Sequence, residues 1–93
     1  MIIIAYDFTS NKRRNKFSKF LKQYGEKIQY SVYQIKNSQR LLNIIMVEIE
    51  NNYVKYFENT DSILIFQICN TCIGKVKKYG SSSNQDKEVV YFD

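Results

Sequence analysis

The first fourteen residues, MIIIAYDFTSNKRR (1–14), decide the fold. Residues 2–7 form a short apolar run with several β-branched side chains, which predicts a buried strand. Thr9, Ser10 and Asn11 are common helix N-caps, so a helix is predicted over residues 11–24. Asp7 ends the strand and is the only acid before Glu26. A carboxylate thus stands beside the start of a basic helix, although a turn or capping role is the simpler interpretation of Asp7.

The predicted helix has one apolar and one basic side. Its apolar stripe, at helical spacing, consists of Phe17, Phe20, Leu21 and Tyr24. The opposite side carries Lys12, Lys16, Lys19 and Lys22. Arg13 and Arg14 flank the stripe in the first turn, close in sequence to Asp7. Gly25 is predicted to end the helix as a C′ glycine.

The remaining elements complete a ferredoxin-like order. Residues 27–36 predict two short strands, because their alternation changes phase near Ser31 and Val32. A helix with a broad apolar face is predicted over residues 38–57, including Tyr53 and Tyr56 in its apolar stripe, and a strand over residues 62–68. The order βαββαβ predicts an α+β, ferredoxin-like domain over residues 1–80. Residues 81–93 are predicted to be a polar linker and a last strand, 89–92, which would pair with a partner subunit.

The charge is unevenly distributed. The chain carries a net charge of +5, yet residues 1–40 hold nine Lys or Arg and only two acids. This asymmetry favours an anionic partner, most commonly nucleic acid, and its alternative is a solvated helix face. Most of the eight Tyr and six Phe fall in apolar stripes, so core packing explains them better than base stacking does.

Histidine is absent, which excludes histidine bases, histidine metal ligands and Ser-His or Cys-His nucleophile pairs. Cys69 and Cys72 form a single C-x-x-C, which supplies too few ligands for a zinc site within one chain. A zinc site shared by two chains or a redox pair remains a distant alternative. We expect a cytoplasmic protein without a membrane segment, because the apolar runs are short and no signal peptide is recognisable.

Two motifs resemble one family. The first is Tyr6-Asp7 followed by the basic segment 12–16, KRRNK, and the second is Tyr24-Gly25 followed by QYSVY at 29–33. Together they resemble the small CRISPR-associated protein that accompanies the integrase in spacer acquisition. The resemblance covers the whole chain, with Tyr33 standing where the family usually has Phe.

The resemblance implies a ferredoxin-like homodimer whose terminal strand packs on the partner subunit. It also implies that Asp7 from each subunit faces its equivalent across the two-fold axis and is a ligand of a shared Mg²⁺, with Mn²⁺ as a substitute. The implied partners are the CRISPR integrase, double-stranded DNA and single-stranded RNA.

Two functions follow, and the sequence leaves both open. The first is a Mg²⁺-dependent endonuclease in which Asp7 is catalytic and Arg13 or Arg14 holds the phosphate. The second is a non-catalytic scaffold that binds duplex DNA. In either function, the residues that bind nucleic acid would be Lys12, Arg13, Arg14, Lys16, Lys19 and Lys22. Against the first function stands the single candidate carboxylate in each chain.

Overall fold

The structure, a computed structural model, describes residues 1–58, 60–68 and 75–80. A five-stranded antiparallel sheet carries two helices on one face. In chain order the elements are β1 Ile2–Asp7, α1 Asn11–Lys22, β2 Gly25–Gln29, β3 Val32–Ile35, α2 Gln39–Asn52, a 3-10 turn Val54–Tyr56, β4 Ser62–Gln67 and β5 Lys75–Gly80. The strand order is β2-β3-β1-β4-β5, which confirms the predicted ferredoxin-like fold.

β1 lies at the centre of the sheet, between β3 and β4. Its side chains alternate, so that Ile2, Ile4 and Tyr6 are buried against the helices while Ile3 and Ala5 lie on the opposite face. The core beneath the helices also receives buried side chains from both helices, from three of the other strands and from the two segments that follow β1 and α2. They are Phe8, Phe17, Leu21, Tyr33, Ile35, Leu42, Ile45, Ile49, Tyr53, Ile63, Ile65 and Tyr79.

Both helices begin where the sequence predicts. Ser10 caps α1 by accepting a bond from the Arg13 backbone N–H, and Ser38 caps α2 by accepting one from Leu41. The second helix ends earlier than predicted, at Asn52, and the 3-10 turn follows it. The predicted place of Tyr56 in the apolar stripe is wrong, because the turn leaves its side chain 56% exposed.

The role predicted for Gly25 is also wrong. Gln23 caps α1, and Gly25 is the first residue of β2. A Cβ atom on Gly25 would lie 2.8 Å from the Cα of Ile35 and closer still to the carbonyl oxygen of Gln34. Glycine is needed here because β2 and β3 approach each other closely, and not for a left-handed helix end.

The change of phase predicted near Ser31 and Val32 is confirmed as a hairpin between two short strands. Ser31 lies in the turn with φ of 64°, and the register of β2 against β3 shifts between Lys27 and Gln29. The turn separates the two strands, which explains why the apolar residues change face at this point of the segment.

β5 is an element that the sequence does not predict. Val76 pairs with Phe66 on one face of the sheet, whereas Tyr79 pairs with Ile63 on the other, so neither face shows an apolar alternation. Tyr79 is buried, and its hydroxyl donates to Glu50 Oε2 at 2.7 Å. Burial, together with this bond and the charge of Glu50, raises the pKa of the Tyr79 hydroxyl.

Three predictions lie outside the described residues: the linker over 81–93, the last strand at 89–92, and the roles of Cys69 and Cys72. Within the described part of the chain, no helix is long and apolar enough to cross a membrane.

Candidate nucleic-acid and carboxylate site

Asp7 is the last residue of β1 and is exposed. Tyr6, its neighbour, is buried under the helices, so alternation directs the Asp7 side chain to the face of the sheet that the helices leave uncovered. There it lies in register with Ser62 of β4. The carboxylate is therefore accessible and stands at the edge of an open sheet face.

Asp61, not Asp7, is the carboxylate that the loop after β1 contacts. Thr9 donates to Asp61 Oδ1 through its backbone N–H at 2.8 Å and its hydroxyl at 3.1 Å. The backbone N–H of Glu58 donates to Oδ2 at 2.9 Å. Among the described residues, Asp61 is the one fully buried acid. These bonds join the β1–α1 loop to the turn before β4.

Arg13 belongs to the same network. Its Nη2 group donates to Asp61 Oδ2 at 3.0 Å and to Glu58 Oε1 at 3.1 Å. The side chain is 20% exposed, and its Nε is buried without a hydrogen-bond partner in the described part of the chain. The predicted phosphate ligand Arg13 thus already has two carboxylate partners.

The network sets the ionisation of Asp61. Burial alone would raise the pKa of this carboxyl group. The backbone N–H groups of Glu58 and Thr9, the guanidinium of Arg13 and the Thr9 hydroxyl together outweigh burial and lower the pKa. Asp61 is therefore held as a carboxylate, and the network is an ionic bracket between the two loops.

Arg14 differs from Arg13 in its partners. It donates through Nη2 to the backbone carbonyl of Phe8 at 3.1 Å and through Nη1 to the Asn11 side chain. Both acceptors are neutral, and no ion pair involves Arg14 within the described ranges. The positive charge of Arg14 is therefore not compensated by a carboxylate in the described part of the chain, and it lies beside Phe8, just after the end of β1.

The basic face of α1 is exposed as predicted. The lysines on it, all exposed, are Lys12, Lys16, Lys19 and Lys22. The opposite side of the helix buries Phe17 and Leu21 completely, and Phe20 and Tyr24 pack beside them. Lys16 places its Nζ 5.5 Å from the ring centroid of Tyr53, a cation–π contact at the edge of the core.

The described part of a single chain does not assemble a metal site by itself. Among the described residues, no group of three or more His, Cys, Asp or Glu side chains is arranged to hold a metal ion. Asp7 and Asp61 have different surroundings: the first is exposed on the open face, and the second is enclosed by four donors. Of the two, only Asp7 is accessible to a ligand.

The sequence matches the family "CRISPR associated protein Cas2" over residues 1–76. The chain belongs to the Cas2 family. This match spans β1 to the start of β5 and includes both predicted motifs. The resemblance drawn from those motifs is thereby confirmed.

Three curated relatives are similar to this Cas2 family member. An endoribonuclease Cas2 of Methanospirillum hungatei is 32% identical over 89 residues, which is 96% of each chain. Another, of Rhodospirillum rubrum, is 31% identical over 80 residues, covering 86% of this chain and 62% of the relative. A third, of Synechocystis sp., is 30% identical over 66 residues, covering 71% and 67% respectively. No solved structure matches the chain.

Asp61 is the structural residue that the sequence does not identify. It follows a turn, and its partner Arg13 lies 48 residues away, so no local pattern connects them. The sequence does give one indication of this pair through Arg13, because Arg13 does not lie on the lysine face of α1. A cation beside an apolar stripe often has a specific acceptor.

Proposed function

We propose that this Cas2 family chain acts in CRISPR adaptation as a homodimer that binds nucleic acid and scaffolds the CRISPR integrase. We also propose that Asp7 from each subunit serves metal-dependent hydrolysis of a phosphodiester. The observation that carries the proposal is the position of Asp7, exposed at the end of the central strand on the uncovered face of the sheet.

The uncovered sheet face supports dimerisation. Neighbouring strands place partly buried apolar side chains next to one another across this face: Ala5 pairs with both Val32 and Leu64, and Ile3 pairs with Phe66. An apolar patch that the described helices leave uncovered favours association, because burying it removes apolar surface from water. A two-fold axis through this face would bring the two Asp7 carboxylates toward each other.

The donors available at Asp7 fit Mg²⁺ or Mn²⁺ only if two subunits contribute. Mg²⁺ prefers oxygen ligands and keeps several waters, so one carboxylate from each subunit is a sufficient protein share. When bound, the ion would stabilise negative charge on a phosphodiester during hydrolysis. The residues of this chain would do the rest: Asp7 would hold the ion, and Arg14 would hold a phosphate oxygen near the end of β1.

The exposed lysines of α1 support nucleic-acid binding. Contacts from Lys12, Lys16, Lys19 and Lys22 would be to phosphates, so binding should depend steeply on salt and little on sequence. The curated relatives are named endoribonucleases, which makes single-stranded RNA the first substrate to test and double-stranded DNA the second.

A non-catalytic scaffold is the second candidate, and one observation favours it. Arg13, a natural choice for holding a reacting phosphate, is instead paired with Asp61 and Glu58. With Arg13 engaged, Asp7 is the one carboxylate that we propose for the metal, so the catalytic set is small. Scaffolding needs only the dimer and the basic helix face.

The decisive experiment compares wild type with Asp7→Asn in Mg²⁺ and in EDTA. Sedimentation measures the dimer, a filter-binding titration measures affinity for duplex DNA, and a labelled RNA or DNA strand reports cleavage. Glu48→Gln is the matched control, because it removes an acid from the helix layer. For the endonuclease we expect cleavage in Mg²⁺ that Asp7→Asn abolishes and Glu48→Gln preserves.

The other outcomes separate the candidates. A dimer that binds DNA, co-purifies with the CRISPR integrase and never cleaves would be the scaffold alone. A monomer at micromolar concentration would refute the dimer, and with it the shared ion. Charge reversal at Lys16 and Lys19 that leaves affinity and its salt dependence unchanged would reduce the lysines to a solvated helix face.

A further inference from the structure

A groove on the helix layer lies apart from the open sheet face. It has a volume of about 350 Å³ and is bounded by the first half of α1 and by the end of α2 with its 3-10 turn. Its lining residues are Lys12, Arg13, Lys16, Asn52, Tyr53 and Tyr56. The volume is within the range of small-ligand sites, roughly 300–1,000 Å³. It is therefore large enough for a small portion of a ligand such as one nucleotide.

The groove is positively charged. Lys12 and Lys16 are exposed at its rim, and no acidic side chain is among its lining residues in the described part of the chain. The nearby carboxylates of Glu58 and Asp61 are already paired with Arg13. Burial, with the charge of Glu48, raises the pKa of Tyr53 to about 12, so the hydroxyl adds no negative charge at neutral pH. An anionic ligand is favoured.

The groove also presents an exposed aromatic ring. Tyr53 is 2% exposed and belongs to the core, whereas Tyr56 is 56% exposed beside it. Lys55 holds its Nζ 5.8 Å from the Tyr56 ring centroid, which adds a further cation next to the ring. Such a ring, with Lys55 beside it and two more lysines lining the same groove, combines a stacking surface with phosphate-binding charge.

We propose that this groove binds an unpaired nucleotide of a single-stranded nucleic acid, with its base stacked on Tyr56 and its phosphates at Lys12 and Lys16. The proposal rests on the proposed nucleic-acid binding and specifies the strand form that this part of the surface recognises. In a duplex, the bases are stacked on each other and their faces are not accessible to a side chain. A stacking ring beside cations therefore selects the unpaired strand.

The chain offers a matched control for this tyrosine. Tyr30 is 70% exposed, and Lys27 holds its Nζ 5.8 Å from the Tyr30 ring centroid, the same distance as in the Lys55–Tyr56 pair. Tyr30 lies at the tip of the β2–β3 hairpin and is not among the residues that line the groove. The two tyrosines thus share their local chemistry and differ in their surroundings.

The test measures affinity for oligo-dT, oligo-U and a blunt DNA duplex at one fixed salt concentration. Tyr56→Ala should weaken binding of both single strands roughly 5- to 150-fold, the range expected for losing one stacked base, while duplex affinity stays within about twofold. Tyr56→Phe should retain wild-type affinity because it keeps the ring, and Tyr30→Ala should change nothing. The fluorescence of a single strand that contains 2-aminopurine should be quenched when wild type binds it, and should not be quenched by Tyr56→Ala.

The results that would overturn the groove proposal also show whether the proposed nucleic-acid function fails with it. If Tyr56→Ala binds single strands as wild type does, or weakens single strands and duplex equally, the base does not stack on Tyr56. The proposed function survives in both cases. If wild type binds neither single strands nor duplex, the nucleic-acid function and the groove fail together.

Discussion

Replacing Asp61 by Asn tests whether the ionic bracket holds the β1–α1 loop in place. Asparagine keeps an oxygen for the two Thr9 donors, but its amide NH₂ would face the backbone N–H of Glu58 and the guanidinium of Arg13. Two donors would then lose their acceptor in a buried site. The Arg13 Nε atom already lacks an acceptor within the described residues, so the substitution would leave a second nitrogen of the guanidinium with fewer hydrogen bonds.

The size of the effect follows from these contacts. Removing one partner of a fully buried ion pair costs about 3–5 kcal/mol, and leaving a buried donor unsatisfied costs about 1–3 kcal/mol. Because Arg13 is 20% exposed and keeps Glu58 as a second partner, the lower part of the range applies. We expect Asp61→Asn to lower the free energy of unfolding by about 2–4 kcal/mol, or on the order of 10–25 °C in melting temperature.

The assay is urea unfolding at fixed protein concentration in EDTA, followed by far-UV circular dichroism. Asp7→Asn is the control, because it makes the same chemical change at an exposed carboxylate and should lose no stability. If Asp61→Asn is within about 0.5 kcal/mol of wild type, the bracket contributes no net stability and the reasoning is refuted.

The same carboxyl group predicts an acid dependence. Its pKa is lowered in the folded chain, so the unfolded chain binds more protons between the two pKa values and stability rises with pH there. The contribution is complete above the unfolded value of about 3.9 and is lost as pH falls through the folded pKa. Asp61→Asn should remove this part of the acid-side slope, and an unchanged slope would contradict the assignment.

Two further substitutions test packing. Tyr33→Phe removes a hydroxyl that lies 2.5 Å from Ser18 Oγ. Loss of this hydrogen bond should cost about 0.5–1.5 kcal/mol in urea unfolding, and an unchanged stability would contradict it. Gly25→Ala should cost about 1–3 kcal/mol in the same assay, because the new Cβ meets the backbone of Gln34 and Ile35, and a neutral result would show that the hairpin can shift freely.

The elements that the sequence predicts are those with local signals. The apolar run of β1 and the caps Ser10 and Ser38 lie within a few residues of the structure they specify. The hairpin at Ser31 is likewise marked by a change of phase in its own segment. The Asp7 position at the end of β1 follows directly from the bounds of that strand.

The features that the sequence does not predict are those that the local hydrophobic pattern does not specify. β5 is specified by its pairing with β4, since Val76 and Tyr79 lie on opposite faces and give no readable period. Tyr56 satisfies the period of α2 in the sequence, but the helix ends before reaching it and the 3-10 turn rotates the ring outward. Periodicity alone does not report where a helix stops.

The positions of Lys12 and Lys22 at opposite ends of α1 allow cleavage and scaffolding to be tested separately. Asp7 is followed within a few residues by the N-terminus of α1, so Lys12 lies in the first turn of the helix, at the end that follows β1. Lys22 lies ten residues further, about 15 Å along the helix axis. Both side chains are exposed, so either substitution by Ala should leave the fold intact.

If hydrolysis occurs at Asp7, a phosphate contact in the first turn of α1, which follows β1, should affect the reaction more than a contact at Lys22, the last residue of the helix. We therefore expect Lys12→Ala to lower the single-turnover cleavage rate at saturating nucleic acid, and Lys22→Ala to weaken binding without changing that rate. Each variant should also reduce the slope of log affinity against log salt for duplex DNA by about 0.9, since one phosphate contact is lost. Equal rates in both variants would mean that the strand held by α1 is not the strand cut at Asp7, and would leave the lysine face to the scaffold alone.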